Sequence, residues 1–443
     1  MTRPLSQLSA PGQLAAKVFE TEHTDLLDLY RRASGRASSF YRRNSQGTEV
    51  LGLGVALQFV ADDADDATMA ELHERLSERL ADVSGDTSKL RIFGWTAFDV
   101  ANSRRAHAGL PDWSAYARRQ LYVPQVLLRC RDGKTDAVVL AEPADVDETW
   151  AAWQETFRST VEIPSPSATE PEVRWLDQDE FRRGVGLVTD ERVAPKVVLA
   201  RRAHIEAAAP IDTTTVLRRL THAYPSCSVF ALSPHAESPY PVFAGATPET
   251  LARVNDGHVE TMALAGTSRN DAGQAPDLAA ERALLSSQKD LDEHRFVLDM
   301  IVDALEPLCS SVAADPEPRP HRLANVSHLM TKISGELAED VGLAEVVDAL
   351  HPTPAVCGTP RDLAKRLIGE IEGFDRGLYA GAFGSMDLEG NGQFDVALRC
   401  GLIDGASALL FAGAGITADS DVDVELTETR SKFAPLLDAI SKE

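Results

Sequence analysis

Apolar runs of strand length follow one another along this chain without a helix between each pair. They are Val50–Val60, Leu90–Val100, Val123–Cys130, Ala137–Leu140, Lys196–Leu199, Ser228–Leu232, His258–Leu264, Asp395–Leu402 and Ala408–Ala412. A doubly wound parallel sheet needs a crossover, usually helical, between successive strands. The order therefore argues against that class and predicts an α+β fold: large antiparallel sheets flanked by helices. Helical periodicity is expected over Leu14–Arg32 and from Asp62–Asp66 to about Val83, where Leu72, Leu76 and Leu80 share a face. Further helices are expected near Glu148–Thr160, from about Asp177, and over Ala279–Leu308 and Glu425–Ser441.

At roughly 150 residues per domain, the 443 residues allow two or three domains. The best linker candidate is Pro164–Pro171, P-S-P-S-A-T-E-P. We read it as a surface loop within one unit spanning 1–443. Residues 1–163 carry no cluster of catalytic residue types, and 173–443 carry all the motifs.

The charge balance excludes some functions. Forty-four basic residues against 68 acidic ones leave −24, which opposes binding to nucleic acid or an anionic membrane. A small anionic substrate stays possible, because a few local cations or a bound metal reverse the field in one pocket. No run of about 18 apolar residues suggests a membrane span, and no secretory signal is visible. Five scattered cysteines without C-x-x-C spacing suggest reduced thiols and a cytoplasmic setting.

Four features could carry chemistry. In K-D-L-D-E-H-R-F, Asp290 and Glu293 lie three apart on one helix face, and in E-L-T-E-T-R-S-K, Glu425, Glu428 and Lys432 lie at i, i+3 and i+7 on one face. If the two helices met, four carboxylates would suit a hard cation such as Mg²⁺; taken alone, each is an ordinary solvated face. The glycine-rich runs Leu264–Ser268 and Phe411–Ile416 read as tight hairpin turns whose N–H groups could hold a carboxylate. Lys196 and Glu249 each adjoin an apolar run, and burial would make the first a usable base and the second a usable acid. Arg399, in D-V-A-L-R-C, needs an anion if it points inward. His328 and His351 complete the list, with no zinc, P-loop or nucleophile-elbow motif.

Taken together and in order, P-K-V-V-L-A-R-R, A-T-P-E-T-L, L-A-G-T, K-D-x-x-E-H, S-H-L-M-T, F-D-R-G-L-Y-A-G, R-C-G-L-I, F-A-G-A-G-I and E-x-T-E-T-R-x-K resemble the chorismate-utilising enzymes from Val193 to the C-terminus. Lys196 and L-H-P-T-P-A-V-C-G-T-P (Leu350–Pro360) are most similar to the isochorismate synthase branch. The alternative within the family is salicylate synthase, which adds pyruvate elimination. The resemblance implies two large antiparallel sheets packed face to face, helices outside, and conversion of chorismate to isochorismate for menaquinone or siderophore biosynthesis. It implies Lys196 as general base and Glu249 as general acid. It implies Mg²⁺ on Glu293 and Glu428, with Asp290 and Glu425 behind. Gly266, Thr267, His328, Tyr379, Arg399, Gly413, Gly415 and Lys432 would bind substrate. A monomer without a glutaminase subunit is expected. The chain departs from the family at L-A-R (Leu199–Arg201) after the lysine, at Q-K-D (Gln288–Asp290) where the family commonly has E-K-D, and at Cys357; none of these changes removes a residue with an implied role.

Overall fold

The computed structural model describes residues 13–36, 38–61, 66–99, 109–161, 170–234, 241–269, 278–322 and 326–441. All but the last two residues of Pro164–Pro171 lie outside these, as do Asp62–Asp65. Among the described residues, two sheets, of 13 and 10 strands, make up the β-structure. Every pairing among the described residues is antiparallel except that between Ala15–Thr21 and Ser84–Gly85. The sheets pack through aromatic pairs: Phe40 and Phe230 of the larger sheet meet Phe93 and Phe383 of the smaller, at 4.6 and 4.1 Å between ring centres. Helices cover the other face of the larger sheet, burying Leu29, Trp150, Leu217 and Phe433 among others. This is the expected α+β arrangement of two large sheets with helices outside.

N-terminal strands are built into both sheets. Ser39–Arg43 pairs with Ser228–Ser233 in the larger, and Ile92–Thr96 pairs with Ala382–Met386 in the smaller. Leu72, Leu76 and Leu80 are fully or nearly buried on the helix Met69–Leu80, as their spacing requires.

Several expectations need correction. Val50–Val60 is two strands in different sheets, Glu49–Leu53 in the larger and Leu57–Ala61 in the smaller. Gly54 turns the chain between them at φ +66°, a conformation that costs glycine little. Asp395–Leu402 divides in the same way, into Gly392–Val396 and Cys400–Asp404. Hydropathy stays high across both breaks because each half is buried, so the change of sheet leaves no mark in it. Within the expected helix Leu14–Arg32, residues Ala15–Thr21 form a strand on Lys134–Ala141, and only Leu26–Ala33 is helical. The expected helix Ala279–Leu308 breaks at Ser287, whose hydroxyl caps the second piece by accepting from the Asp290 N–H. Both glycine-rich runs lie inside long strands, His258–Arg269 and Ser407–Thr417, rather than at hairpin turns.

Candidate active site

Two of the places where the chain crosses between the sheets lie side by side, and each of these carries a candidate. Thr247-Pro248-Glu249 links Val242–Thr247 of the larger sheet to Thr250–Asn255 of the smaller. Ala397–Arg399 makes the return crossing. The two are tied together. The Thr247 hydroxyl donates to the Val396 carbonyl at 2.6 Å, and the Val396 N–H donates to the Glu249 carbonyl at 3.0 Å. Glu249 and Arg399 therefore look into one cavity at the seam between the sheets. Arg399 has φ +52°; its carbonyl accepts from the Ala246 N–H at 3.3 Å, and its guanidinium makes no hydrogen bond or ion pair with a described residue. Burial lowers its pKa, and Tyr379, Glu428 and Glu249 act against that. With no ion pair to a described residue, its guanidinium is available to an anion in the cavity.

Burial pushes the Glu249 carboxyl from 4.5 up to about 7, against the opposing charges of Arg399, Lys196 and Lys432. A carboxylic acid held at that value keeps a proton to give near neutral pH.

Lys196 opens the strand Lys196–Glu206, is only 6% exposed, and donates to Glu293 Oε1 at 2.7 Å. Glu293 lies on the helix Gln288–Leu305, which the next residue docks: the His294 ring meets the Thr331 hydroxyl at 2.7 Å. Burial drops the His294 pKa to about 4, so the ring is a neutral anchor. Leu350–Pro360 reaches the same place, with Ala355 and Val356 on the cavity wall and Gly358–Thr359 paired to Val197 and Lys196.

The opposite wall comes from Ser407–Thr417. Its ladder with Cys400–Asp404 ends at Phe411, so beyond that residue only the Lys196–Glu206 strand flanks it. Gly413 faces Ala200 and Gly415 faces Val198. The N–H groups of Ala200 and Val198 bond away from this partner, to Glu372 and to the Cys357 carbonyl. These are therefore non-hydrogen-bonded pairs, and the N–H groups of Gly413 and Gly415 point to the open side, into the cavity. A Cβ on Gly413 would stand 2.9 Å from the Tyr379 hydroxyl, and one on Gly415 2.9 Å from Lys196 Cε. At Gly413 the Leu199 carbonyl, 3.0 Å away, also leaves a side chain no room, and at Gly415 a side chain would displace the Lys196 amine. Tyr379 stacks on Phe411 at 5.3 Å, and burial raises its pKa, so the hydroxyl stays protonated as a donor.

Glu428 and Lys432 sit on the helix Val422–Ser441, 2.7 Å apart, and Lys432 also donates to the Gly413 carbonyl at 2.9 Å. Burial raises the Glu428 pKa, but Lys432, His328 and Arg399 outweigh it and hold the carboxyl below its ordinary value. His328 meets the Gly266 carbonyl at 3.1 Å, and burial takes its pKa to about 4. Asp290 packs under Gly266, where an added Cβ would lie 3.1 Å from its own. Glu425 is buried and also lines the cavity.

One cavity of about 260 Å³ is thus lined by Lys196, Glu249, Gly266, Asp290, Glu293, His328, Tyr379, Arg399, Gly413, Gly415, Glu425, Glu428 and Lys432. Thr267 pairs in register with His328, and its side chain lies outside the described residues. His351 is elsewhere, its Nε2 at 3.0 Å from the Ala97 carbonyl. Sequence reasoning missed the apolar walls Val198, Leu398 and Phe411, which look like any core residue in the chain.

Without a cation, four convergent carboxylates would repel. In the structure lysines neutralise two of them, Lys196 beside Glu293 and Lys432 beside Glu428. Among the described residues no three of His, Cys, Asp and Glu stand close enough together to hold an ion. The donor chemistry still fits Mg²⁺, since all four carboxylates line one cavity and offer only hard oxygen.

Residues 5–441 match the family described as chorismate binding enzyme, and the chain belongs to that family. Within it, the isochorismate synthase MenF of Bacillus subtilis is 31% identical over 369 residues, 80% of this chain and 75% of the relative. The salicylate biosynthesis isochorismate synthase of Pseudomonas aeruginosa is 31% identical over 441 residues, 97% of this chain and 90% of the relative. The solved structure of MenF, the menaquinone-specific isochorismate synthase from Escherichia coli, superposes with a TM-score of 0.81 at 25% identity. It covers 99% of this chain and 97% of that one. Among the described residues no helix is long and apolar enough to cross a membrane.

Proposed function

We propose that this protein is a Mg²⁺-dependent isochorismate synthase, acting in the cytoplasm and feeding menaquinone or siderophore biosynthesis. The observation that carries the reading is one cavity holding a buried lysine and a carboxyl raised to about 7. The similarity to isochorismate synthases supports it.

Chorismate carries two carboxylates. Arg399, the Tyr379 hydroxyl and the N–H groups of Gly413 and Gly415 suit the one on the enolpyruvyl arm. Glu293 and Glu428 would hold the metal, backed by Asp290 and Glu425; when bound, Mg²⁺ supplies positive charge for the ring carboxylate. Gly266, Thr267, His328 and Lys432 complete the binding set. In its neutral form, with Glu293 given over to the metal, Lys196 would take a proton from water as the water oxygen bonds to C2. The ring double bonds shift, the C4–O bond breaks, and Glu249 protonates the departing hydroxyl, which leaves as water. Atoms balance, and no oxidant or reductant is needed. Each proton transfer contributes roughly 10²–10⁴-fold.

The test is chromatography of the products after incubation with chorismate and Mg²⁺. Isochorismate as sole product supports the reading. Fluorescent salicylate would move the protein to the salicylate synthase branch, and no turnover would overturn the proposal.

A further inference from the structure

The strand that carries Lys196 has a gap along its outer edge. Gly358–Thr359 pairs with Lys196 and Val197, and Glu172–Trp175 pairs from Ala203 onward. Between them no strand among the described residues covers Val198–Arg202 on that edge. Two side chains fill part of that gap. Glu372, at the end of the helix Arg361–Ile371, accepts from the Ala200 N–H at 2.7 Å. Arg376 donates to the Val198 carbonyl at 2.6 Å and the Val356 carbonyl at 3.0 Å. The two form an ion pair, with Arg376 Nε 2.9 Å from Glu372 Oε2, and are 3% and 4% exposed. The guanidinium also lies 5.8 Å from the centre of the Tyr379 ring and 4.3 Å from that of Phe98.

Each partner thus bonds the backbone of a cavity-lining element. Val198 follows Lys196 by two residues, and Val356 and Tyr379 line the same cavity. An ion pair kept for stability alone has no need of these backbone contacts, because apolar residues of similar volume often stabilise as well or better.

We propose that Glu372 and Arg376 are positioning residues, standing in for a missing strand to set Lys196 and Tyr379 at the heights the reaction needs. The inference rests on the proposed chorismate conversion. Misplacing a reacting group by about 1 Å can cost about a hundredfold in rate.

The discriminating variant is the double replacement Glu372→Leu/Arg376→Met. It removes both buried charges together and takes away the backbone contacts. The readouts are kcat and KM on chorismate, with the melting temperature of the same samples. The expected result is folded protein with kcat about a hundredfold down and KM within about threefold of wild type. A folded double variant with kcat within threefold of wild type, or with its loss confined to KM, would overturn the proposal. Should the double variant not fold, Glu372→Gln carries the test. It keeps an acceptor for Ala200 but loosens the grip on Arg376, so kcat should fall about tenfold at unchanged KM, and an unchanged kcat overturns the idea. Failure of the functional reading is separable, because it shows in the wild type as no isochorismate, whatever the variants do.

Discussion

Glu249→Gln should make the protein more stable at pH 8 and nearly inactive. A carboxyl raised from 4.5 to about 7 is a stability statement. The folded state holds its proton more tightly than the unfolded chain does. The resulting stabilisation is complete below pH 4.5 and is lost as pH rises through 7. At about 1.36 kcal/mol per pH unit the wild type is therefore about 3 kcal/mol worse off at pH 8 than at pH 4. Water in the cavity screens part of this, which leaves about 2 kcal/mol. Glutamine has no charge to desolvate and escapes the loss. At about 2.1 cal/mol/K per residue, the chain of 443 residues gains about 0.9 kcal/mol/K of unfolding entropy. The variant should then melt about 2 °C above wild type at pH 8, with the difference shrinking to nothing near pH 4.5. The assay is differential scanning calorimetry of both proteins across that range, without chorismate or Mg²⁺. In parallel, kcat should drop at least about a hundredfold. Equal melting temperatures at pH 8 would refute the reasoning, because Glu249 would then be an ordinary carboxylate with no proton to give.

Lys196→Ala should lower kcat by at least about a hundredfold with modest change in KM; combining it with Glu249→Gln should add little, since both act in one displacement, and full additivity of the two losses would argue against that coupling. Mg²⁺ should raise the melting temperature of the wild type, and Glu293→Gln and Glu428→Gln should each abolish turnover and remove that rise, whereas turnover in excess EDTA would exclude the metal role. Arg399→Gln should raise KM for chorismate by about 10–100-fold, the worth of a charge-assisted hydrogen bond; an unchanged KM would remove it from the carboxylate site. Limited proteolysis near Pro164–Pro171 should not release two independently folding halves, because strands from before the segment pair with strands after it in both sheets; two stable fragments would refute the single unit.

Residue type and interval settle a good deal here. The four-residue spacing of Leu72, Leu76 and Leu80 requires one buried helix face, and the structure has it. Non-alternating apolar runs require antiparallel sheets. The ordered motifs carried every cavity residue to which a role was assigned, except that the Thr267 side chain is not described. These properties are local: periodicity reports which face is buried, and a motif keeps its chemistry wherever the chain takes it.

What burial sets a residue against is not local. Val50–Val60 and Asp395–Leu402 read as single strands because both halves of each are apolar, yet each half joins a different sheet. The crossings that result put Glu249 and Arg399 at the seam, 150 residues apart in the chain. Only packing from all sides lifts the Glu249 carboxyl to about 7. Only the fold shows that Lys196 and Lys432 neutralise the carboxylates expected to bind metal. The pair Glu372 and Arg376 lies inside or beside a recognised motif, but its backbone partners at Val198 and Ala200 are more than 170 residues away. Desolvation and hydrogen bonding depend on neighbours in space, and the sequence names the residues without saying which neighbours they will have.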